Sequence, residues 1–273
     1  MTRRPGGGTG SAGEGSFYRQ VAEDRFEATE YTRGPWDPRS QHAGPPAALL
    51  ARAVERRPGA RDDLRVVRLT FDIARPVPVA ALTVSARVVR SGRSVEVVEA
   101  ELSADGAPPA MRVTALLIRT ASSAAPAVSD GFRPPGPEAA SERPFFPVPY
   151  EDGYHTGMET RFVSGSFATH GPATCWFRMR VPLVEGEDPS PLARVLVAAD
   201  SGNGISNVLD YREHLFVNPD LTVHLYRYPE GEWVCLDART SIDADGIGLA
   251  DSALYDKAGV IGRGVQSLFV ASR

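Results

Sequence analysis

The feature that most constrains this chain is an internal repeat. Arg68-Leu69-Thr70-Phe71-Asp72-Ile73-Ala74-Arg75 aligns without gaps on Asp220-Leu221-Thr222-Val223-His224-Leu225-Tyr226-Arg227, a spacing of 222 − 70 = 152 residues. The identities are few, but the order around them repeats as well. Each segment follows an Ala/Leu-rich helical run and precedes an alternating strand, a turn at Asp105-Gly106 or Ala258-Gly259, and a last apolar strand. A duplicated unit of one helix and several strands follows, and 273 residues with 42% hydrophobic content can bury a core in each copy.

In the first copy, about 17–119, Pro45 and Pro46 open a helix where a missing N–H costs little, and Ala47 to Arg56 continue it with high helix propensity. Strands are expected over 64–73, 82–89, 94–102 and 111–118 from β-branched residues with partial alternation between Gly and Pro signals. Residues 120–150 turn Ala-, Ser- and Pro-rich and read as an inter-domain linker. The second copy, 151–273, should hold a strand at 174–181 and a helix at 190–199 begun by Ser190-Pro191 and stopped by Gly202 and Gly204. Strands at about 216–226, 232–239, 249–255 and 260–270 complete it. Residues 1–16, rich in Gly, read as a disordered tail. Within that tail Gly8 to Gly13 fit G-x-G-x-x-G, without the strand and helix a dinucleotide site requires.

A net charge of −4, with no basic stripe interleaved with aromatics, argues against nucleic acid or anionic lipid as partner. No run approaches the roughly 18 apolar residues of a membrane span. Cys175 and Cys235 form no C-x-x-C pair, which suggests neither a disulfide framework nor a zinc site and fits a cytoplasmic protein. The nucleophile elbow G-x-S-x-G, H-E-x-x-H and the P-loop are absent from the sequence.

Particular residues add a resemblance. Gln41-His42-Ala43-Gly44 before a helix, Arg90-Ser91-Gly92-Arg93 between strands, Ala199-Asp200 at a helix end and Gly264-Val265-Gln266 in the last strand resemble the acyl-CoA thioesterase II family, from Phe17 to Arg273. The resemblance implies an α+β tandem double hotdog, each repeat a long helix wrapped by an antiparallel sheet. It further implies hydrolysis of an acyl-CoA or acyl-carrier-protein thioester with no metal or redox cofactor. In that family a carboxylate on the second-repeat helix, a threonine on the next strand and a glutamine on the final strand position the hydrolytic water. Here they correspond to Asp200, Asn218 and Gln266, with asparagine in place of threonine. The family's glycine pair at the first helix is Ala43-Gly44, followed by two prolines that offer no N–H.

The residues themselves bear on these roles. Asp200 follows the apolar run Val195 to Ala199 at a helix C-terminus, where burial and the dipole should raise its pKa and suit it as a general base; the plain alternative is a cap of the Ser201-Gly202-Asn203-Gly204 turn. Gln266 interrupts an apolar strand and, if buried, needs partners; otherwise it is an edge residue facing solvent. Its counterpart in the first copy reads as Val113, and that of Asp200 as Ala53, which leaves one site per pair of repeats. Asn218 before Pro219 is equally an ordinary strand start. Gly44 is either a donor site at a positive helix end or only a turn glycine. His42 reads as a loop histidine near the substrate, and Trp36, Trp176 and Trp233 are candidates for an acyl tunnel although large aromatics are core by default. Two rival readings remain: a hotdog hydratase or dehydratase, which needs a histidine, His42 or His214, opposite the aspartate, and a noncatalytic acyl-thioester binder. A homo-oligomer is expected, because exposed sheet edges and repeat surfaces are commonly covered by another protomer.

Overall fold

The computed structural model describes residues 15–122, 126–129 and 131–273. The expected tail therefore lies outside the described residues except for Gly15 and Ser16, and Ser16 is buried. In chain order the elements are β1 (Tyr18–Gln20), β2 (Arg25–Ala28), α1 (Gly44–Arg56), β3 (Leu64–Ile73), β4 (Ala81–Ser91), β5 (Val95–Ala104) and β6 (Met111–Arg119). The second half supplies α2 (Tyr154–Gly157), β7 (Met158–Ser164), β8 (Ala173–Met179), α3 (Pro191–Ala199), α4 (Gly202–Ile205), β9 (His214–Val217), β10 (Asp220–Leu225), β11 (Val234–Ile242), β12 (Ile247–Asp256) and β13 (Gly259–Ser272).

The strands join in one 13-stranded sheet in the order β1-β2-β4-β5-β6-β3-β10-β13-β12-β11-β8-β7, with β9 on β13. The order is the same read from either end, and the two halves meet where β3 pairs antiparallel with β10. There Thr70 lies opposite Thr222, the same two residues that the repeat aligns. A pseudo-two-fold axis thus passes between them. Alternating side chains on each strand bury one face against α1 and α3, which pack on each other across the same axis.

Most sequence-derived strands recur with shifted ends, and the differences have local causes. The run expected as one strand over 216–226 breaks at Asn218-Pro219, because proline cannot donate to a ladder; Pro219 instead accepts from the Ile73 N–H at 2.7 Å. Gly202 and Gly204 do not simply stop the second helix, since α4 runs through them after a bend at Asp200-Ser201. The two helices are unequal, 13 residues in α1 and 9 in α3. Strands β1, β2 and β7 were not anticipated; the first two are too short to show alternation. The Pro-rich segment packs on the second half: Phe146 is buried, Pro135 accepts from the Trp176 indole at 2.7 Å, and Ser141 bridges to Phe162.

The register also corrects one correspondence. Thr222 pairs with Val265 while Thr70 pairs with Thr114, so Val265 matches Thr114, and Gln266, one residue on, matches Ala115 rather than Val113.

Candidate active site

The segment entering α1 is held before any side chain is considered. His42 N–H donates to the Thr32 carbonyl at 2.8 Å and Gln41 N–H to Val77 at 2.8 Å, while the Gln41 amide accepts from Tyr18 Oη and donates to Pro78. Pro45 and Pro46 occupy the first turn, where their missing N–H groups cost nothing, and Ala47 makes the first helical bond back to Ala43 at 3.0 Å. Only Ala43 and Gly44 offer N–H groups outside the helical ladder at this helix start. Both face the end of α3, because Gly44 lies directly on it: a Cβ there would stand 2.3 Å from the Val197 carbonyl oxygen. Gly44 is therefore neither a turn glycine nor part of the cavity wall; it is what lets the two helices touch.

Asp200 closes α3 at that contact and is buried. Asn218 Nδ2 donates to its Oδ1 at 2.9 Å, and Gln266 Nε2 donates to the same oxygen and to the Asp200 carbonyl, each at 3.2 Å. His42 Nδ1 lies 3.1 Å from Oδ2. Burial pushes the carboxyl up to about 7, against the opposing pull of Asn218, the Ala43 and Gly44 N–H groups and Gln266. Burial likewise pushes His42 down to about 3, so the imidazole is neutral and the contact is not an ion pair. Asn218, Gln266 and His42, all singled out in the sequence, are thus brought onto the Asp200 carboxylate.

Their exposure differs. Asp200, Asn218, His42 and Trp36 line a cavity of about 430 Å³, whereas Gln266 and Gly44 do not. Gln266 sits behind Asp200, 2% exposed, with its Oε1 accepting from Asn203 N–H at 3.1 Å, so both ends of its amide are committed to protein. Gly202 makes room for it, since a Cβ there would lie 2.6 Å from Ser252 Oγ and 3.0 Å from Gln266 Oε1. Asn218 spends its second N–H on the Asp220 carbonyl, leaving Oδ1 for the cavity.

Aromatic rings form the remaining wall: Trp36 packs on Phe146 and Phe216 with centroids 5.4 and 5.7 Å away, and Phe145 and Phe167 complete the cluster. Of the three tryptophans only Trp36 belongs to this wall. Trp176 is in the core and Trp233 lies under Arg161 and Arg178. His42 is not a free loop residue; its ring stacks on Tyr154 at 3.7 Å and 4°. Sequence reasoning missed Tyr154, Phe145 and Phe146. The signal for the last two was an aromatic pair inside a stretch otherwise made of Pro, Ala and Ser. Among the described residues no cluster of three or more His, Cys, Asp or Glu is arranged to hold a metal ion.

Two family models match this chain: "Acyl-CoA thioesterase N-terminal domain" over residues 32–118 and "Acyl-CoA thioesterase C-terminal domain" over residues 133–270. The chain belongs to the acyl-CoA thioesterase family. It is accordingly a thioester hydrolase. Among solved structures, a putative thioesterase II from Thermobifida fusca is 21% identical with a TM-score of 0.72, covering 93% of this chain and 95% of that one. A conserved protein of unknown function with hot dog fold from Alicyclobacillus acidocaldarius is 17% identical with a TM-score of 0.68, covering 93% and 96%. An acyl-CoA thioesterase II from Mycobacterium marinum is 13% identical with a TM-score of 0.64, covering 94% and 95%. At such identities the likeness speaks to the fold, a hotdog of mostly antiparallel sheet. No curated protein matches the chain.

For this thioesterase the cavity offers a carboxyl that burial pushes up to about 7, a carboxamide oxygen beside it and an apolar wall. A base of that pKa can take a proton from water at physiological pH, which an ordinary surface aspartate does poorly.

Proposed function

We propose that this acyl-CoA thioesterase is a tandem double hotdog that hydrolyses its substrate directly, with Asp200 as general base toward water. The observation that carries this reading is the buried Asp200 carboxyl, raised to about 7 and facing the cavity that also contains Asn218 Oδ1. Water attacks the thioester carbonyl carbon while its proton passes to Asp200; the tetrahedral intermediate then expels the thiolate, which takes that proton, giving free acid and thiol. Asn218 orients the carboxylate and the water, and Gln266 holds the carboxylate from behind. The acyl group lies against Trp36, Phe146, Phe167 and Phe216. Thiol release from a panel of short, medium, long and aromatic acyl-CoAs tests this directly. Saturable binding without free thiol from any of them would instead mean a binding protein.

The proximity of His42 to Asp200 favours a second reading, a hydratase using the pair as acid and base. It would consume an enoyl thioester without releasing thiol. The two are separated by following thiol and enoyl absorbance on the same substrate.

The exposed apolar group Ile247, Leu249, Phe269 and Val217, on neighbouring strands of one sheet face, supports a homo-oligomer. Burying it against a second copy would remove it from water.

A further inference from the structure

We infer that His42 is a catalytic hydrogen-bond donor: its Nε2–H meets the thioester carbonyl oxygen and stabilises the negative charge that develops there as water adds. The inference rests on the thioesterase reading of the site and extends it to a residue that the Asp200, Asn218 and Gln266 arrangement leaves without a role.

Bound water attack needs a donor at the carbonyl oxygen, and the usual source, the N-terminus of the neighbouring helix, is spent here. Pro45 and Pro46 have no N–H, Gly44 N–H donates to His42 Nδ1 at 3.1 Å, and the Ala43 and Gly44 N–H groups both act on Asp200. Asn218 has both amide hydrogens engaged with Asp200 and Asp220.

The same Gly44 bond assigns the tautomer of His42. A ring nitrogen that accepts an N–H carries a lone pair, so the ring hydrogen resides on Nε2. The opposite tautomer would set the Gly44 N–H against a ring N–H; it would instead offer a donor to an ionised Asp200 Oδ2, 3.1 Å away, and ¹⁵N NMR distinguishes the two. Among the described residues no protein group accepts from Nε2, and the ring lines the cavity with 12% of the side chain exposed. The ring cannot swing away, because it is stacked on Tyr154, whose hydroxyl is bonded to the Val197 carbonyl at 2.8 Å and to Ser201 Oγ at 2.9 Å. Burial keeps it neutral at working pH, so it acts as a fixed dipole and not as a proton carrier. Nδ1, 3.1 Å from Asp200 Oδ2, is then also positioned to accept from that oxygen once it has taken the proton of water.

The test uses the full chain and an acyl-CoA that the wild type hydrolyses. His42→Phe keeps the stacking on Tyr154 and deletes the donor; kcat should fall about 10²- to 10³-fold, as on loss of one oxyanion donor. KM should stay within a few-fold, and the loss should persist on the high-pH plateau where Asp200 is fully ionised. His42→Gln, which returns an amide N–H, should recover part of the rate. Full activity of the folded phenylalanine variant, or a rate that returns to the wild-type value at high pH, would overturn the assignment, the latter because it would make His42 only a tuner of Asp200. The tautomer can be read in the unmutated protein by ¹⁵N NMR: a Nε2–H imidazole from pH 5 to 9 is expected, and a Nδ1–H ring or an imidazolium contradicts it. A wild type that releases no thiol from any acyl-CoA defeats the thioesterase reading and the His42 role with it; an active wild type beside an equally active variant defeats only the latter.

Discussion

At the residue scale the proposed base is one carboxylate surrounded by Asn218, Gln266, His42 and the Ala43 and Gly44 N–H groups. Asp200→Asn keeps the Oδ1 acceptor for Asn218 and Gln266 and turns an NH₂ toward the His42 lone pair, so the protein should fold; kcat should drop about 10²- to 10⁴-fold while acyl-CoA binding, measured by calorimetry, is retained. Stability should move the other way. A carboxyl whose pKa is raised on folding is easier to protonate in the folded protein. Its ionisation therefore costs nothing below about pH 4 and costs progressively more as pH rises toward 7, on the order of a few kcal/mol. Asp200→Asn should accordingly have a higher Tm than wild type at pH 8 and no advantage at pH 4; the same Tm difference at both would mean that Asp200 is not desolvated. Asn218→Ala removes a donor that lowers the Asp200 pKa, so the midpoint of its kcat/KM profile should shift upward, whereas Asn218→Thr, restoring a hydroxyl, should shift it less.

At the element scale the site exists because two helix ends meet, and Gly44 permits it. Gly44→Ala must part α1 from α3 or displace the Val197 carbonyl, with an expected loss of about 1–3 kcal/mol in urea unfolding and a fall in kcat larger than the loss of folded protein explains. The pseudo-two-fold axis makes a mate of this contact, where the end of α1 meets the start of α3. It too has a carboxylate: Glu55, two residues beyond the expected Ala53, accepts from the Ser190 hydroxyl at 2.7 Å. Its surroundings differ, because Arg52 and Arg56 are tied to Glu187 at 2.6 and 2.9 Å beside it, and Ala115 stands where Gln266 would. Glu55→Gln should leave thiol release within about twofold of wild type; a large loss would mean that this contact is also needed for turnover.

Elements of this size were differently legible. The long strands β3, β5 and β6 show in the sequence because burial on one face imposes a period of two on ten or so residues, whereas β1 and β2 are too short for any period to register. The proline of Asn218-Pro219 is visible in the sequence, but the apolar and β-branched residues on both sides of it make 216–226 look like one run. Asp200 and Gln266 could be picked out as polar residues in apolar runs. His42 stands out in the sequence only as a loop histidine near the substrate, since its stacking comes from Tyr154, 112 positions along the chain (154 − 42 = 112), which no local pattern carries.

At the scale of the whole molecule, the two halves share one continuous sheet with two like helix contacts, and the polar cluster around Asp200 lies at one of them. If the face of Ile247, Leu249, Phe269 and Val217 is covered by a second copy, Phe269→Asp should lower the assembly state seen by light scattering while monomer secondary structure is kept; an unchanged mass would place the interface elsewhere. The central claim, that Asp200 is the base of this thioesterase, is tested most directly by the pH dependence of thiol release by wild type and Asp200→Asn on one acyl-CoA. Wild-type kcat/KM should rise through a single midpoint near pH 7 to a plateau, and the variant should be slower by at least about 10²-fold throughout. A wild-type profile flat across that midpoint, or a folded variant that matches the wild-type plateau, would contradict it.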